Sequence, residues 1–310
     1  MNNKQHQIAV QAAVKPKFKG QKPLTSRSIP HYPDTAEREF KRVTNGYIRL
    51  LKKSLAEHLP AILEAYKQEQ RADSRFDASR DLEDKVRREL QKVAEELEQK
   101  LAEYGLDSLV EKIAKLTKTN SLREWKRVCK DTLGIDLMDD YYSGDFYAEA
   151  LRKWVSENVQ KIKSIPNESL GNMREIVLNG FKKGRSITDI AKDIQREYSL
   201  TRRKAQLLAR DQVSSLNAQI SKMQQQDAGC TKYRWSTSKD SRVRDCHRAL
   251  EGKIFKWDDP PEMWYETKGR GRVSTGRHCN PGEDYCCRCV AIPVFDFKTV
   301  DVPLRTNEKD

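Results

Sequence analysis

The chain has 310 residues, and its 59 lysines and arginines outnumber its 46 aspartates and glutamates, which gives a formal net charge of +13. Charged residues are 34% of the chain and hydrophobic ones 37%, and no stretch approaches the roughly 20 apolar residues that a membrane helix needs. The composition therefore argues against a membrane protein and favours long solvated helices with a modest core, and the charge favours an acidic partner such as nucleic acid.

Residues 1–29 are predicted to form a flexible basic tail. The segment holds six lysines and arginines and no acidic residue, and its prolines and glycine interrupt regular structure. Its candidate contacts to nucleic acid or to an acidic partner are Lys15, Lys17 and Lys19. The apolar run 8–14 is too short and too broken for a secretory signal.

A helical region is predicted over residues 30–228. The first helix begins after Pro33, and Pro60 is expected to kink or divide it. The second covers Asp81–Tyr104 and ends at Gly105. Its apolar residues alternate steps of four and three from Leu82 to Leu101, which is the period of a coiled-coil seam. This seam is a candidate surface for self-association or a partner, with packing inside the chain as the alternative.

Shorter helices are expected in the second half of this region, separated by glycine and proline. They cover 109–116, 121–133, 145–164, 168–183 and 187–198, followed by a long helix over 201–226. Arg202, Arg203 and Lys204 would make the start of that helix basic. They are candidate contacts to phosphate or to an acidic partner, and a solvated helix face is the alternative.

From Gly229 onwards the chain is rich in Gly, Pro, Trp, Cys and His in short runs. Strands are predicted near residues 233–237, 253–257 and 290–295. Trp235 and Trp257 are expected to pack in a core. We predict a small α+β module over residues 229–297, with a C-terminal tail over 298–310. The fold class is thus a mainly α N-terminal region of long helices followed by this module.

Soft metal ligands concentrate in the module. Five of the seven cysteines lie between Cys246 and Cys289, together with two histidines. The candidate ligands are Cys246 and His247 in the first part of the module, and His278, Cys279, Asp284, Cys286, Cys287 and Cys289 in the second. This pattern suggests a zinc clamp that fastens two loops. Buried thiols with a hydrogen-bonded histidine are the alternative, and a local disulfide is a third reading that needs an oxidising compartment.

A catalytic site is a weaker reading of the same segment. Asp240, Asp245, His247 and Asp284 could act as acid–base groups or as ligands of a nuclease metal. No P-loop, zinc-protease or serine-hydrolase motif is present. No catalytic residue is therefore assigned, and a metal-dependent nuclease or effector remains the alternative function.

An ordered series of motifs resembles the phage head-morphogenesis family, the minor head proteins of the phage Mu F-like type. It runs from Leu208-Ala-Arg-Asp211 to the C-R-C at residues 287–289, and the resemblance spans about residues 145–295. The motif positions after residue 239 are Asp240, Arg242, Arg244, Gly252, Phe255, Pro281, Gly282 and Arg288. His247, Cys287 and Cys289 carry over as candidate zinc ligands. Asp284 or Cys279 would have to supply the fourth, because relatives carry other ligands there.

The resemblance implies a non-enzymatic role in building a phage head. It implies the portal and other capsid proteins as partners, and packaged double-stranded DNA as a further contact. It places the protein inside the head of the virion, and in the host cytoplasm during assembly. Self-association would use the helices, and no membrane partner is expected.

Overall fold

The structure is a computed structural model that describes residues 3–71, 78–138, 141–142, 145–269 and 271–304. Helices account for most of the chain up to residue 227, and strands dominate afterwards, as predicted. No helix in the described ranges combines the length and the apolar character that crossing a membrane requires. The helices are α1 (Asn3–Val14), α2 (Asp34–Arg71), α3 (Ala78–Tyr104), α4 (Leu106–Leu133), α5 (Ala148–Lys182), α6 (Ile187–Asp227) and α7 (Asp245–Leu250). The strands are β1 (Leu24–Thr25), β2 (Lys232–Ser236), β3 (Ile254–Lys256), β4 (Glu262–Thr267), β5 (Gly271–His278) and β6 (Val290–Phe295).

Several helices are longer than predicted. The breaks expected between 116 and 121, at Pro166, and between 198 and 201 are absent, so α4, α5 and α6 each join two predicted segments. Pro60 likewise lies inside α2 and does not divide it. Buried apolar residues lie on both sides of each proline, Leu55 and Ile62 around Pro60 and Ile162 and Leu170 around Pro166, and this burial offsets the local cost of about 3 kcal/mol for an interior proline.

The chain divides into two compact units that do not follow its linear order. Unit 1 contains Met1–Glu37, Ile113–Trp154 and Arg210–Asp310, and unit 2 contains Arg38–Lys112 and Val155–Ala209. The predicted division at residue 228 is therefore not where these units separate. The region before it contributes to both, because α4, α5 and α6 each cross from one unit to the other.

Unit 2 is a helical body whose core includes the predicted seam. Leu82, Val86 and Val93 are fully buried, and Leu90 and Leu97 are nearly so. They pack in one cluster with buried residues of α2, α5 and α6. The described part of the seam is thus filled from within the chain and does not serve as an open interface. The side chain of Leu101 lies outside the described residues.

The N-terminal segment, which was predicted to be a flexible tail, is instead packed into unit 1. Val10 and Val14 of α1 are fully buried, and the Phe18 ring packs edge-on against that of Phe297 at 5.5 Å between centroids. His6 Nε2 lies 3.1 Å from the carbonyl oxygen of Val302. The basic composition of the segment concealed this apolar stripe, which buries one face of α1.

The predicted C-terminal tail is also built into unit 1 as far as it is described. Val300 and Val302 are buried, and the Asp301 N–H donates to the Ala228 carbonyl oxygen at 3.2 Å. Residues 305–310 lie outside the described part of the chain.

Unit 1 also contains a four-stranded antiparallel sheet. Its strand order is β1-β6-β2-β3, so a strand from the start of the chain pairs with β6, next to β2. Tyr233 and Trp235 of β2 are buried, as is Trp257, which confirms the predicted core role of the tryptophans. The hairpin β4–β5 forms a separate sheet that the sequence analysis did not predict.

Candidate metal centre

His247, Cys287 and Cys289 bring three metal-ligating atoms together in unit 1. His247 Nδ1 lies 3.6 Å from the Sγ atom of Cys287 and 3.6 Å from that of Cys289. The three ligand atoms all lie within 4.8 Å of one another, and all three side chains are buried. The residues that the family resemblance singled out are therefore neighbours in space.

His247 is presented by the short helix α7. In a strand, Cys246 and His247 would point to opposite faces. In a helix they are about 100° apart, and both are buried. His247 reaches the two sulfurs, whereas Cys246 packs in the core cluster around Tyr233 and Trp235.

The cysteine segment before β6 is held by side chains of α6. Asp211 Oδ1 accepts the N–H of Cys286 at 2.8 Å, which secures a residue with a positive φ of 51°. The Ser214 hydroxyl donates to the carbonyl oxygen of Cys287. These contacts explain why the motif Leu208-Ala-Arg-Asp211 accompanies the C-R-C motif, since α6 supports the backbone of the ligand segment.

Gly282 lets the same segment lie close to α6. Its φ is +88°, and a Cβ atom there would lie 2.8 Å from the Cβ of Ala218 and 3.3 Å from the carbonyl oxygen of Ser214. Glycine therefore serves both the backbone conformation and the close approach. The N–H of Gly252, another motif position, donates to the Trp235 carbonyl oxygen at 2.9 Å.

Asp284 supports the histidine and is not a member of the ligand cluster. Its Oδ2 lies 3.1 Å from His247 Nε2, the ring nitrogen that faces away from the sulfurs. Arg244 Nη1 donates to Oδ2 at 2.8 Å and Arg277 Nη1 donates to Oδ1 at 2.6 Å. The expectation that Asp284 supplies a fourth ligand is thus replaced by a contact to the outer side of the imidazole, which orients metal-binding histidines in proteins.

The charges of this group are mutually stabilised. Burial alone would raise the pKa of Asp284, but the hydrogen bond with His247 and the charges of Arg244 and Arg277 lower it to about 2. Burial alone would lower the pKa of His247, but hydrogen bonds with Asp284 and Cys287 raise it to about 9. A hydrogen bond from Cys289 and the nearby His247 lower the pKa of Cys287. The hydrogen bond with Cys287, together with burial, raises the pKa of Cys289. The lowered pKa of Cys287 favours its thiolate, which is the form of cysteine that binds metals.

The remaining candidate ligands lie elsewhere. Cys279 is buried in the core cluster of the module and does not join the ligand group in the described residues. The ring of His278 lies in the exposed hairpin, with Nδ1 2.9 Å from the carbonyl oxygen of Pro260. All seven cysteines fall within the described ranges and are free thiols, so the local disulfide is not formed.

The carboxylate of Asp240 forms ion pairs with two arginines. It accepts Arg242 Nη2 at 3.0 Å and also accepts a hydrogen bond from Arg288. The hydrogen bond from Arg288, although partly opposed by burial, lowers the pKa of Asp240 to about 2. Among the described residues, Asp240 is not grouped with His247 and Asp284 as a metal-ligand set, as the nuclease reading would require.

Two further motif positions line the core and the ligand segment. The Phe255 ring packs against those of Tyr233 and Trp235, at 6.1 and 6.3 Å between centroids. Pro281 is buried beside Gly282.

The donor set fits zinc. Cysteine sulfur and histidine nitrogen are the usual ligands of structural zinc, at about 2.3 Å and about 2.0–2.1 Å. Tetrahedral geometry at those bond lengths places sulfur and nitrogen about 3.6 Å apart, which matches the distances between His247 Nδ1 and the two sulfurs. The described residues supply three of the four ligands of a structural site.

The predicted basic contacts are exposed but belong to different units. Lys15, Lys17 and Lys19 lie in unit 1 and project to solvent. Arg202, Arg203 and Lys204 lie in unit 2, where Lys204 Nζ pairs with Glu168 Oε1 at 2.6 Å. The latter three stand in the middle of α6 and not at a helix start, because α6 begins at Ile187.

The sequence analysis missed Ser214 and Arg277, which carry no signal in their local pattern.

Part of the chain is similar to a known protein family. Residues 172–292 match the family model described as Phage Mu protein F like protein. This stretch includes the ligand cluster, the hairpin and the helix α6 that supports the cysteine segment. The resemblance to the phage head-morphogenesis family is thereby confirmed for this part of the chain.

Two curated proteins are similar to part of the chain. An uncharacterized protein of Haemophilus influenzae is 34% identical over 167 residues, which are 54% of this chain and 34% of that protein. The minor head protein GP7 of Bacillus phage SPP1 is 27% identical over 134 residues, which are 42% of each chain. The matches thus cover about a third and two fifths of these relatives. No solved structure matches the chain significantly.

Proposed function

We propose that this chain is a phage minor head protein that takes part in head morphogenesis. The match of residues 172–292 to the phage Mu F-like family carries this proposal. The similarity to a minor head protein of phage SPP1 also supports it. In this role the chain works by contact with other proteins and has no substrate to turn over.

The proposed partners are the portal and other capsid proteins, with packaged double-stranded DNA as a further contact. The proposed location is the head interior of the virion, reached through the host cytoplasm. The net charge of +13 supports contact with DNA, because phosphates attract lysine and arginine without reading sequence. A nuclease has less support, since Asp240, His247 and Asp284 are engaged as described above.

Incorporation into heads tests the proposed role. The chain would be expressed together with the head genes of its phage, and particles would be separated by gradient sedimentation. We expect the chain to co-sediment with procapsids and heads in a few copies, and to be retained after salt washing. A chain that stays at the top of the gradient in the presence of assembled particles would contradict the proposal.

We further propose that His247, Cys287 and Cys289 hold one zinc ion. When bound, zinc would cross-link α7 to the cysteine segment before β6 and stabilise a module with a small core. The His247–Asp284 contact would hold the imidazole in place on its outer side.

Metal content and thermal melting test the zinc site. We expect about one zinc per purified chain, with a Tm that falls on chelation. Cys287→Ser and Cys289→Ser should each remove the zinc and abolish the effect of the chelator. Cys286→Ser is the matched control, because its side chain lies outside the ligand cluster although it is adjacent in sequence. Absence of zinc, with a Tm unaffected by chelator, would leave the cluster as hydrogen-bonded thiols.

A further inference from the structure

A cavity of about 250 Å³ lies in unit 1, and the ligand cluster His247, Cys287 and Cys289 forms part of its lining. Four arginines line it: Arg210 from α6, Arg242 and Arg244 from the segment before α7, and Arg288 from between the two ligand cysteines. The residues that line the cavity include no acidic side chain and no lysine. We call this space the arginine cavity.

Each arginine pairs with a carboxylate that is not among the lining residues. Asp284 holds Arg244, and Asp240 holds both Arg242 and Arg288. Glu37 Oε1 lies 3.4 Å from Arg210 Nε. A guanidinium has five N–H donors, and these contacts engage only some of them. The carboxylates therefore orient the guanidinium groups around the cavity.

We propose that the arginine cavity binds a single carboxylate of a partner protein. Guanidinium groups recognise a carboxylate through paired, charge-assisted hydrogen bonds, and several of them around one cavity make an anionic occupant favourable. The carboxylate comes from an Asp or Glu side chain or from a chain terminus. That the partner is another head protein rests on the function proposed above.

The shape of the cavity favours a protein carboxylate over DNA. The cavity is concave, and its volume is of the size of one or two side chains. DNA phosphates form a continuous row on a convex duplex, and lysines on an open surface commonly meet them. A concave, lysine-free site lined by oriented arginines fits one inserted acidic side chain, which is how buried anchors act at protein interfaces.

Peptide titration of the full-length chain tests this inference. The probes are acetyl-Gly-Gly-Glu-Gly-Gly-amide, its Gln analogue, and acetyl-pentaglycine with a free carboxylate. Binding is followed by NMR of the arginine Nε–H groups, with zinc bound and after chelation. We expect the Glu peptide or the free-carboxylate peptide to bind with a Kd of about 1 mM and to shift these signals, and the Gln peptide to bind at least about tenfold more weakly.

Two charge-matched variants identify the cavity as the site. Arg242→Gln should weaken binding about tenfold, because it removes an exposed guanidinium from the lining. Arg248→Gln removes the same charge from α7, outside the lining, and should leave binding unchanged. Arg242→Lys should weaken binding as well, since it keeps the charge but loses the planar fork.

Several outcomes would overturn the inference. They are no binding of either carboxylate peptide at about 10 mM, equal loss in Arg248→Gln, or arginine signals that respond to a short DNA duplex and not to the peptides. If the variants fail to fold, the signals of the wild-type chain still decide the result. Peptide binding by a chain that never enters heads would refute the proposed function alone, whereas a head component that binds no peptide would refute this inference alone.

Discussion

Asp284 has a different role in the structure from the one that its motif position predicts. The motif suggests a ligand, whereas the fold places the carboxylate against His247 Nε2 and between Arg244 and Arg277. Groups in this position hold the imidazole of a metal ligand in the productive orientation, and their loss typically weakens metal binding about 10–100-fold.

The first prediction therefore concerns Asp284→Asn. If zinc binds as proposed, this variant should retain the metal but bind it about 10–100-fold more weakly, as measured by competition with a chromophoric chelator. Asp245→Asn is the control, because Asp245 is an exposed carboxylate on the same helix that pairs only with Arg248 among the described contacts. Equal affinity in the two variants would contradict a supporting role for Asp284.

Gly282 and Gly252 give the second prediction, because both have positive φ but different surroundings. At Gly282 a Cβ would meet the Cβ of Ala218 at 2.8 Å, whereas nothing lies within 4 Å of a Cβ at Gly252. Gly252→Ala should cost about 1 kcal/mol for the backbone conformation alone, and Gly282→Ala about 2–4 kcal/mol because overpacking adds to it. Urea unfolding measures the loss of stability in both variants. An equal loss would show that α6 moves to accommodate the extra methyl group at Gly282.

At the scale of elements, α2 and α3 are joined by a charged cluster. The His58 ring on α2 contacts two glutamates of α3, with Nδ1 3.0 Å from Glu89 Oε2 and Nε2 2.9 Å from Glu96 Oε1. Lys92 pairs with Glu89, and Lys100 pairs with Glu96 and donates to the Ser54 hydroxyl. We call the three residues His58, Glu89 and Glu96 the histidine clasp.

The histidine clasp should make the stability of unit 2 depend on pH. The hydrogen bonds with Glu96 and Glu89 raise the pKa of His58 above its ordinary value of 6.5. Stability from the clasp is therefore fully present below about pH 6.5 and is lost as pH rises through the raised pKa. The pKa of Glu96 is lowered to about 2, chiefly by His58, and that of Glu89 is lowered by Lys92 and then His58. The glutamate contribution is thus present above about pH 4.5 and is lost in stronger acid.

The third prediction follows from this window. His58→Gln should lower the urea midpoint more at about pH 5.5 than at about pH 8.5, because the population of imidazolium in the wild-type clasp falls as pH rises through the raised pKa. His278→Gln removes a histidine from the exposed hairpin and serves as the control. A loss of the same size at both pH values would mean that the ring stabilises the helices by packing and not by charge.

At the scale of the whole molecule, unit 1 is built from three separate stretches of chain. The contacts of α1 show the consequence, because the side chains of His6 and Gln11 reach backbone carbonyl oxygens of Val302 and Phe297, nearly 300 residues away. The N-terminal segment is thus a structural part of the unit, and its lysines are carried on an ordered element.

The fourth prediction compares two aliphatic residues of α1. Val10 is fully buried, whereas Ile8 is 65% exposed. Val10→Asp should destabilise the chain by about 3 kcal/mol or more, because it buries a charge and leaves a packing defect, and Ile8→Asp should cost less than about 0.5 kcal/mol. Thermal melting measures both. Equal, small effects would restore the view of this segment as a flexible tail.

The coarse fold could be predicted because burial is periodic in the sequence. Leu82, Val86 and Val93 repeat at helical spacing, β2 alternates polar and aromatic residues around Tyr233 and Trp235, and β6 is a short apolar run. The sequence did not predict that α2 and α5 continue through Pro60 and Pro166, because this continuity depends on packing by residues that are distant in sequence. The buried stripe Val10, Val14 and Phe18 was visible at steps of four, but the positive charge around it suggested a solvated segment.

The candidate site was predictable only in part. The family resemblance selected His247, Cys287 and Cys289, and the fold brings them together. Local spacing could not show which side of the imidazole faces Asp284, nor that α7 is a helix. The arginine cavity was also hidden, because Arg210 joins Arg242, Arg244 and Arg288 only through the tertiary fold.

The discontinuity of unit 1 has a consequence for biosynthesis. Strand β1 at Leu24–Thr25 pairs with β6 at Val290–Phe295. During synthesis, β1 therefore has no β6 to pair with until that strand has been translated. At about 5–20 residues per second, that interval is on the order of 10 to 60 seconds. Arg38–Lys112 and Val155–Ala209 emerge earlier and can fold first, which leaves the apolar face of α1 uncovered on the nascent chain. Chaperone dependence during translation should therefore centre on the first 37 residues.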